Sequence, residues 1–243
     1  MTVQEIYAYL HSRAPFDTAE GWDNPGMLVG DPHREVSRVL VALDATAGAV
    51  DTAEAVCADL IVTHHPVIFA PLKKLSAQSI PYRLAAAGID LIAAHTNLDK
   101  AEGGVNDTLA ARLGLTDVVV APDEYTRIGT LPQPMSAKDF ATHVARVLDT
   151  AVRYSGDKEV QTVAVCGGSG GDFMLRYHDA DAYVTGEVRH HEWLAADHLN
   201  VIEAGHYATE VPVVDTLAAW LTEAFPDLTV IPYRDGEPYS VVK

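Results

Sequence analysis

Histidine is the side chain used most to bind divalent metals and to move protons near neutral pH, and this chain has 11 of them. Their spacing is informative. His64 and His65 follow the apolar run DLIVT (59–63). His95 follows DLIAA (90–94), with Asp99 four residues on. His206 follows the run that ends at Gly205, with Glu210 four residues on. Any one of these alone has an ordinary explanation: a histidine hydrogen-bonded at a strand end, or a carboxylate near a helix start. Their joint placement after three apolar runs points to metal binding. Six imidazole and carboxylate groups exceed the needs of one tetrahedral ion, and two divalent ions bridged by a carboxylate would use nearly all of them. The donor types suit zinc, iron, manganese and nickel alike.

Such groups converge only if the elements carrying them are neighbours. Val3, Ile6, Tyr7 and Leu10 predict an amphipathic helix that ends at Pro15. A turn-rich loop, 21–26, leads to a short apolar segment, 27–30. Arg38–Leu43, Asp59–Thr63 and Asp90–Ala94 read as strands buried on both faces. Helices are predicted at 46–57, 79–88 and 105–113. The second half repeats the order: a helix around Phe140–Leu148, strands at 151–154, 161–165, 181–185 and 201–204, and helices at 172–178, 190–198 and 211–224. A last edge strand is expected at 228–231. Pro212 argues that the final helix begins near Thr209, leaving His206 on the preceding loop and Glu210 in the first turn.

Alternating strands and helices predict an α/β fold. DLIVTHH (59–65) aligns without gaps on DAYVTGE (181–187), and DLIAAHTNLD (90–99) on VIEAGHYATE (201–210). The expectation is therefore two similar, intertwined domains from an internal duplication of a helix-strand-(strand-helix)x3 unit, with mixed, mostly parallel sheets. The seam is expected near 121–125, giving repeats 1–122 and 123–243 with a metal site in the cleft between them. Ligands of such sheets bind beyond the carboxyl ends of the strands, where all six candidates fall.

Other features rank lower. The turn CGGSGG (166–171) would cradle a phosphate on backbone N–H groups or simply close a tight strand-to-helix turn; it lacks the P-loop lysine. Glu187 lies at the strand end equivalent to His64-His65, as a base, a partner of a metal ligand or an ordinary helix-start carboxylate. Trp22-Asp23-Asn24 reads as a loop cap. His190 and His191 read as a solvated helix face, Lys73 and Lys74 as a solvated loop. Cys57 and Cys166 read as core, and two cysteines make no disulfide framework.

Composition narrows the function classes. With 17 basic against 34 acidic residues the net charge is −17, which disfavours generic nucleic-acid or anionic-membrane binding. No run approaches the ~20 apolar residues of a membrane span. The N-terminal segment is not read as a secretory signal, so the cytoplasm is the expected location.

Trp22-Asp23-Asn24-Pro25-Gly26, Thr63-His64-His65-Pro66, His95-Thr96-Asn97-Leu98-Asp99, Thr185-Gly186-Glu187 and Gly205-His206-Tyr207-Ala208-Thr209-Glu210 together resemble the NGG-one-interacting-factor-three-like family, whose members are often called type-two homologues of GTP cyclohydrolase one. The resemblance runs from about residue 3 to the C-terminus. It implies two intertwined α/β domains, a toroidal homohexamer and a dinuclear metal centre in each subunit. It also implies His64, His65, Asp99, His206 and Glu210 as ligands, with His95 a further ligand or a support for one. Metal-dependent hydrolysis of a nucleotide-like small molecule is the leading expectation, with Asp99 or Glu210 bridging the ions and Glu187 as proton shuttle. A non-catalytic metal-binding or scaffold protein is the rival.

Overall fold

The computed structural model describes residues 1–240. The chain divides into two compact units: Met1–Gly104 with Val213–Gly236, and Val105–Pro212 with the residues from Glu237 onward. Among the described residues there are nine α-helices and two mixed sheets. None of the helices is long and apolar enough to cross a membrane.

The first unit opens with α1 (Val3–Arg13). Thr2 accepts from the Glu5 backbone N–H, and the Glu5 carboxylate accepts from the Thr2 N–H at 2.6 Å. This reciprocal cap fixes the helix start, while Val3, Ile6 and Leu10 are buried. There follow β1 (Gly26–Val29), β2 (Arg38–Ala42), α2 (Ala47–Ala55), β3 (Leu60–Thr63), α3 (Ile80–Ala87), β4 (Asp90–Ala93) and the short α4 (Thr96–Lys100). Strands β2, β3 and β4 are parallel, with Ala42 opposite Thr63 and Thr63 opposite Ala93. Leu40, Ile61 and Leu91 pack with Ala49, Val50 and Leu84 from the covering helices. Because the register is level, the residues just beyond all three strands emerge at one height: Asp44, His64-His65 and His95. Strand β1 runs antiparallel to β4 with Gly26 opposite Ala93, so the 21–25 loop also ends at that level.

The second unit contains α5 (Val105–Arg112), β5 (Thr116–Val120), β6 (Arg127–Ser136), α6 (Ala137–Val147), β7 (Arg153–Ser155), β8 (Glu159–Cys166), β9 (Ala182–Thr185), α7 (His190–Ala195), β10 (Asn200–Glu203) and α8 (His206–Glu210). Its sheet order is β5-β6-β8-β9-β10-β7. Strands β8, β9 and β10 are parallel, with Cys166 opposite Thr185 and Thr185 opposite Glu203; β5, β6 and β7 pair antiparallel. Side chains alternate between two cores: Val163 and Val165 face Phe140, Val144 and Leu109, while Ala164 and Cys166 face Met174 and Tyr183. The chain then returns to the first unit as α9 (Val213–Ala224) and β11 (Thr229–Pro232), whose strand adds in parallel beside β2. In both sheets a short early strand runs antiparallel at the edge of a parallel run (β1 on β4, β7 on β10).

Several expectations need correction. The seam at 121–125 and the repeat boundary at 122 do not coincide with the units. Strand β5 pairs with β6, and α5 packs on the second core, so 105–120 belong to the second unit, while β11 pairs with β2 in the first. The sequence reading missed β5, β6 and α4. Strand β6 carries Pro132 and Pro134, which read as strand breakers; they fall where its pairing with β8 is interrupted, between Thr130 and Met135. All five residues of β5 are exposed, and the five residues of α4 are too few for a periodic signal. The segment read as a helix at 172–178 is a 3-10 stretch, Gly170–Arg176. Cys57 is exposed, in a left-handed turn after α2, and only Cys166 is core.

Arg127 ties α5 to β6. Its side chain is fully buried; Nε donates to Asp107 at 2.7 Å and Nη1 to the Glu124 and Tyr125 carbonyls. Removing the guanidinium takes a donor from a half-buried carboxylate and from two main-chain carbonyls. Arg127→Leu is therefore expected to lower stability by about 3 kcal/mol in urea unfolding. A loss under about 0.5 kcal/mol, the size of an ordinary surface change, would contradict this role.

Candidate functional site

His64 is fully buried at the end of β3. Its Nδ1 lies 2.8 Å from the carbonyl oxygen of Ala94, just past β4. A carbonyl can only accept, so Nδ1 carries a proton. His65 is held the same way, with Nδ1 2.8 Å from Asp44 Oδ1. His95 has Nδ1 2.8 Å from Asp23 Oδ1. All three histidines thus have an oxygen on Nδ1. This is the usual outer support of metal-binding imidazoles. Their rings lie close together, with centroids 4.8 Å (His64–His65), 5.2 Å (His64–His95) and 5.6 Å (His65–His95) apart. One nitrogen from each falls within 4.8 Å of the others.

The Asp23 carboxylate is the most heavily engaged of these oxygens. Burial pushes its carboxyl up, but hydrogen bonds from His95 and from the Thr96 hydroxyl and N–H outweigh that and hold it far below the ordinary range. It is therefore ionised throughout the physiological range, so towards His95 Nδ1 it can only accept. The same carboxylate caps α4, accepting from Thr96 N at 3.1 Å and Thr96 Oγ1 at 2.6 Å. Asn97, fully buried, accepts from the His95 N–H and donates to the Ala14 carbonyl. These bonds fix α4, and on it Asp99, whose Oδ1 lies 3.5 Å from His64 Nε2. A lone pair and a carboxylate at that distance repel unless a cation or proton sits with them.

The second unit builds an analogous arrangement on α8. His206 and Glu210 are both helical, at i and i+4, so the expected loop position for His206 is corrected. Pro212 separates α8 from α9 rather than opening one continuous helix. His206 Nε2 lies 3.0 Å from Glu210 Oε2, and Nδ1 lies 3.1 Å from Glu187 Oε1. Glu187 also accepts from the Ser169 hydroxyl at 2.8 Å. An imidazole with a carboxylate at each nitrogen is satisfied as an imidazolium, or with a cation on its Nε2 side.

The glycine turn 166–171 spends two of its N–H groups inside the unit. Gly167 N donates to Asn106 Oδ1 and Gly168 N to Thr209 Oγ1, so these two N–H groups already have acceptors. Gly168 has φ +54, and a Cβ there would overlap Glu210 Oε1 and come within 3.2 Å of His206 Nε2. A Cβ on Gly186 would meet His206 Cα at 2.8 Å. Both positions must be bare for α8 to lie against the ends of β8 and β9.

The oxygen partners Asp23, Asp44, Ala94 and Asn97 were not readable as such from the sequence. Asp23 and Asn97 sit inside quoted motifs, but only the fold shows what they touch. His190 and His191 are exposed on α7, and Lys73 and Lys74 on their loop, as expected.

The fold and these groups define an α/β protein whose strand ends carry histidine and carboxylate clusters able to bind a metal ion. The profile of the Duf34/NIF3 (NGG1p interacting factor 3) family matches residues 1–237, and the chain belongs to that family. It is 36% identical to a Streptomyces coelicolor protein named GTP cyclohydrolase 1 type 2 homolog, over 91% of this chain and 86% of that one. It is 32% identical to the NIF3-like protein 1 of Drosophila melanogaster, over 79% of this chain and 71% of that one. The crystal structure of the Staphylococcus aureus hypothetical protein SA1388 superposes with a TM-score of 0.93 at 27% identity, covering 100% of this chain and 99% of that one.

Gly168→Ala is expected to displace the Glu210 carboxylate while leaving the chain folded. Zinc affinity in a chelator competition should fall at least about tenfold, with the circular dichroism spectrum unchanged. Unchanged zinc affinity would show that the bare α-carbon is there for packing alone.

Proposed function

We propose that the chain is a metal-dependent hydrolase of the cytoplasm. It would hold two divalent ions through His64, His65, Asp99, His206 and Glu210, with His95 as a further ligand or a support, and act on a nucleotide-like small molecule as a homohexamer. The observation that carries the metal reading is the oxygen on Nδ1 of each candidate imidazole. That arrangement would make Nε2 the ligand atom, and in His64 and His206 a carboxylate lies beside it. The donors are nitrogen and oxygen, which fits zinc, iron, manganese or nickel. The hydrolytic reading draws support from the cyclohydrolase name carried by the relatives.

Divalent ions held in pairs supply an acidified water and a clamp for a developing oxyanion. The chain's own residues contribute orientation and proton traffic. Asp44, Asp23 and the Ala94 carbonyl keep His65, His95 and His64 in the Nδ1–H form. Glu187 holds His206 from its Nδ1 side, and its exposure lets it exchange protons with water. Asp99 and Glu210 would be the carboxylate ligands of the ions.

Elemental analysis of protein purified without chelator or metal-binding tag is expected to give close to two ions per chain. Glu210→Ala and His64→Ala should each lower that number. Chelation should abolish turnover of GTP, and the native ion should restore it. A wild-type chain near zero metal after reconstitution would sink the metal reading. Full metal without chelator-sensitive turnover on nucleotides, pterins or phosphoesters would leave a metal-binding scaffold instead.

A further inference from the structure

Two large aromatic side chains stand exposed beside the histidine cluster of the first unit. Trp22 is 61% exposed and Phe69 54% exposed, and their ring centroids are 5.9 Å apart. Both meet the His95 ring edge-on, Trp22 at 6.3 Å and Phe69 at 6.4 Å. Exposing two such rings side by side leaves apolar surface in water that a core position would bury.

The pair is also held in place. Trp22 precedes Asp23, whose carboxylate is bonded to His95 and Thr96. Next comes Asn24, whose side-chain amide donates to the Ile68 carbonyl at 2.6 Å. That bond joins the Trp22 loop to the Phe69 loop. Pro25, Pro66 and Pro71 flank the two aromatics in sequence and limit the conformations each loop can adopt. Three consecutive residues therefore divide the labour: Trp22 offers a ring, Asp23 fixes a histidine, and Asn24 pins the second ring's loop.

We propose that Trp22 and Phe69 form a stacking subsite for a planar heteroaromatic ring of the ligand, placing that ring next to His95. The chemistry is that of aromatic side chains receiving a base: sequence-tolerant, driven by the π-face and by removal of apolar surface from water. It deepens the proposed function by naming the ligand class as one with a planar ring, and rests on that reading only for what happens after the ring is bound.

Calorimetric titration of the metal-loaded full chain tests it, with guanosine 5′-monophosphate as the probe and ribose 5-phosphate as the ring-less control. Metal content and sedimentation are measured on every sample. Wild type should bind the nucleotide with a clear preference over the sugar phosphate. Trp22→Ala and Phe69→Ala should each raise the nucleotide Kd about tenfold, with metal content and ribose 5-phosphate binding unchanged. Trp22→Phe should recover most of the loss. A metal-replete wild type with no preference for the nucleotide, or a Trp22→Ala variant with wild-type Kd, overturns the subsite and leaves the metal reading standing. Nucleotide preference in a chain that takes up no metal does the reverse. Altered sedimentation in Trp22→Ala with unaltered nucleotide affinity assigns the pair to a subunit contact and overturns the subsite.

Discussion

The hydrogen bond from His64 Nδ1 to the Ala94 carbonyl ties a buried imidazole to the strand beside it. That bond decides which nitrogen keeps its proton, and so which one can bind something else. Asp44 does the same for His65, Asp23 for His95 and Glu187 for His206. The oxygens differ in origin (one main-chain carbonyl and three carboxylates), yet each is engaged by Nδ1. Where a carboxylate also faces that Nε2, as Asp99 faces His64 and Glu210 faces His206, the local electrostatics ask for positive charge. The rest of the structure can be understood as what is needed to make these bonds at once.

Sheet register supplies most of it. Level pairing of β2, β3 and β4 brings Asp44, His64, His65 and His95 to one height, and the antiparallel β1 returns the Trp22–Asn24 loop to the same end. In the second unit, level pairing of β8, β9 and β10 brings the glycine turn, Glu187 and His206 together. The short helices α4 and α8 then hold carboxylates four residues after their histidines. A one-residue slip in any of these strands would turn its terminal side chain to the other face. The apolar strands are thus functional as well as structural, because their register sets which side chains reach the strand ends together.

Much of this was legible in the sequence because buried parallel strands are continuous apolar runs. The strands carrying His64, His95 and His206 were found to within a residue or two, and with them the candidate ligands. What stayed hidden was decided by long-range pairing. Strand β6 has prolines that its register break accommodates, and β5 has no buried face to mark it. The unit boundaries depend on which sheet receives β5 and β11. Helix α8 was misread because Pro212 looked like an opening residue, whereas it follows a complete five-residue helix. The partners of the histidine Nδ1 atoms could not be read at all, since His95 and Asp23 are 72 residues apart. For the same reason Trp22 reads in the sequence only as part of a loop cap; its exposure beside Phe69 exists only in the fold.

The central claim is that oxygens on Nδ1 prepare these imidazoles to bind a cation through Nε2. Anomalous diffraction from crystals of zinc-loaded protein, recorded on both sides of the zinc edge, tests it most directly. The account predicts metal peaks bonded to Nε2 of His64, His65 and His206, with the Nδ1 bonds to Ala94, Asp44 and Glu187 intact. Absence of anomalous density at these residues, or zinc bound through Nδ1 with those bonds broken, would contradict it.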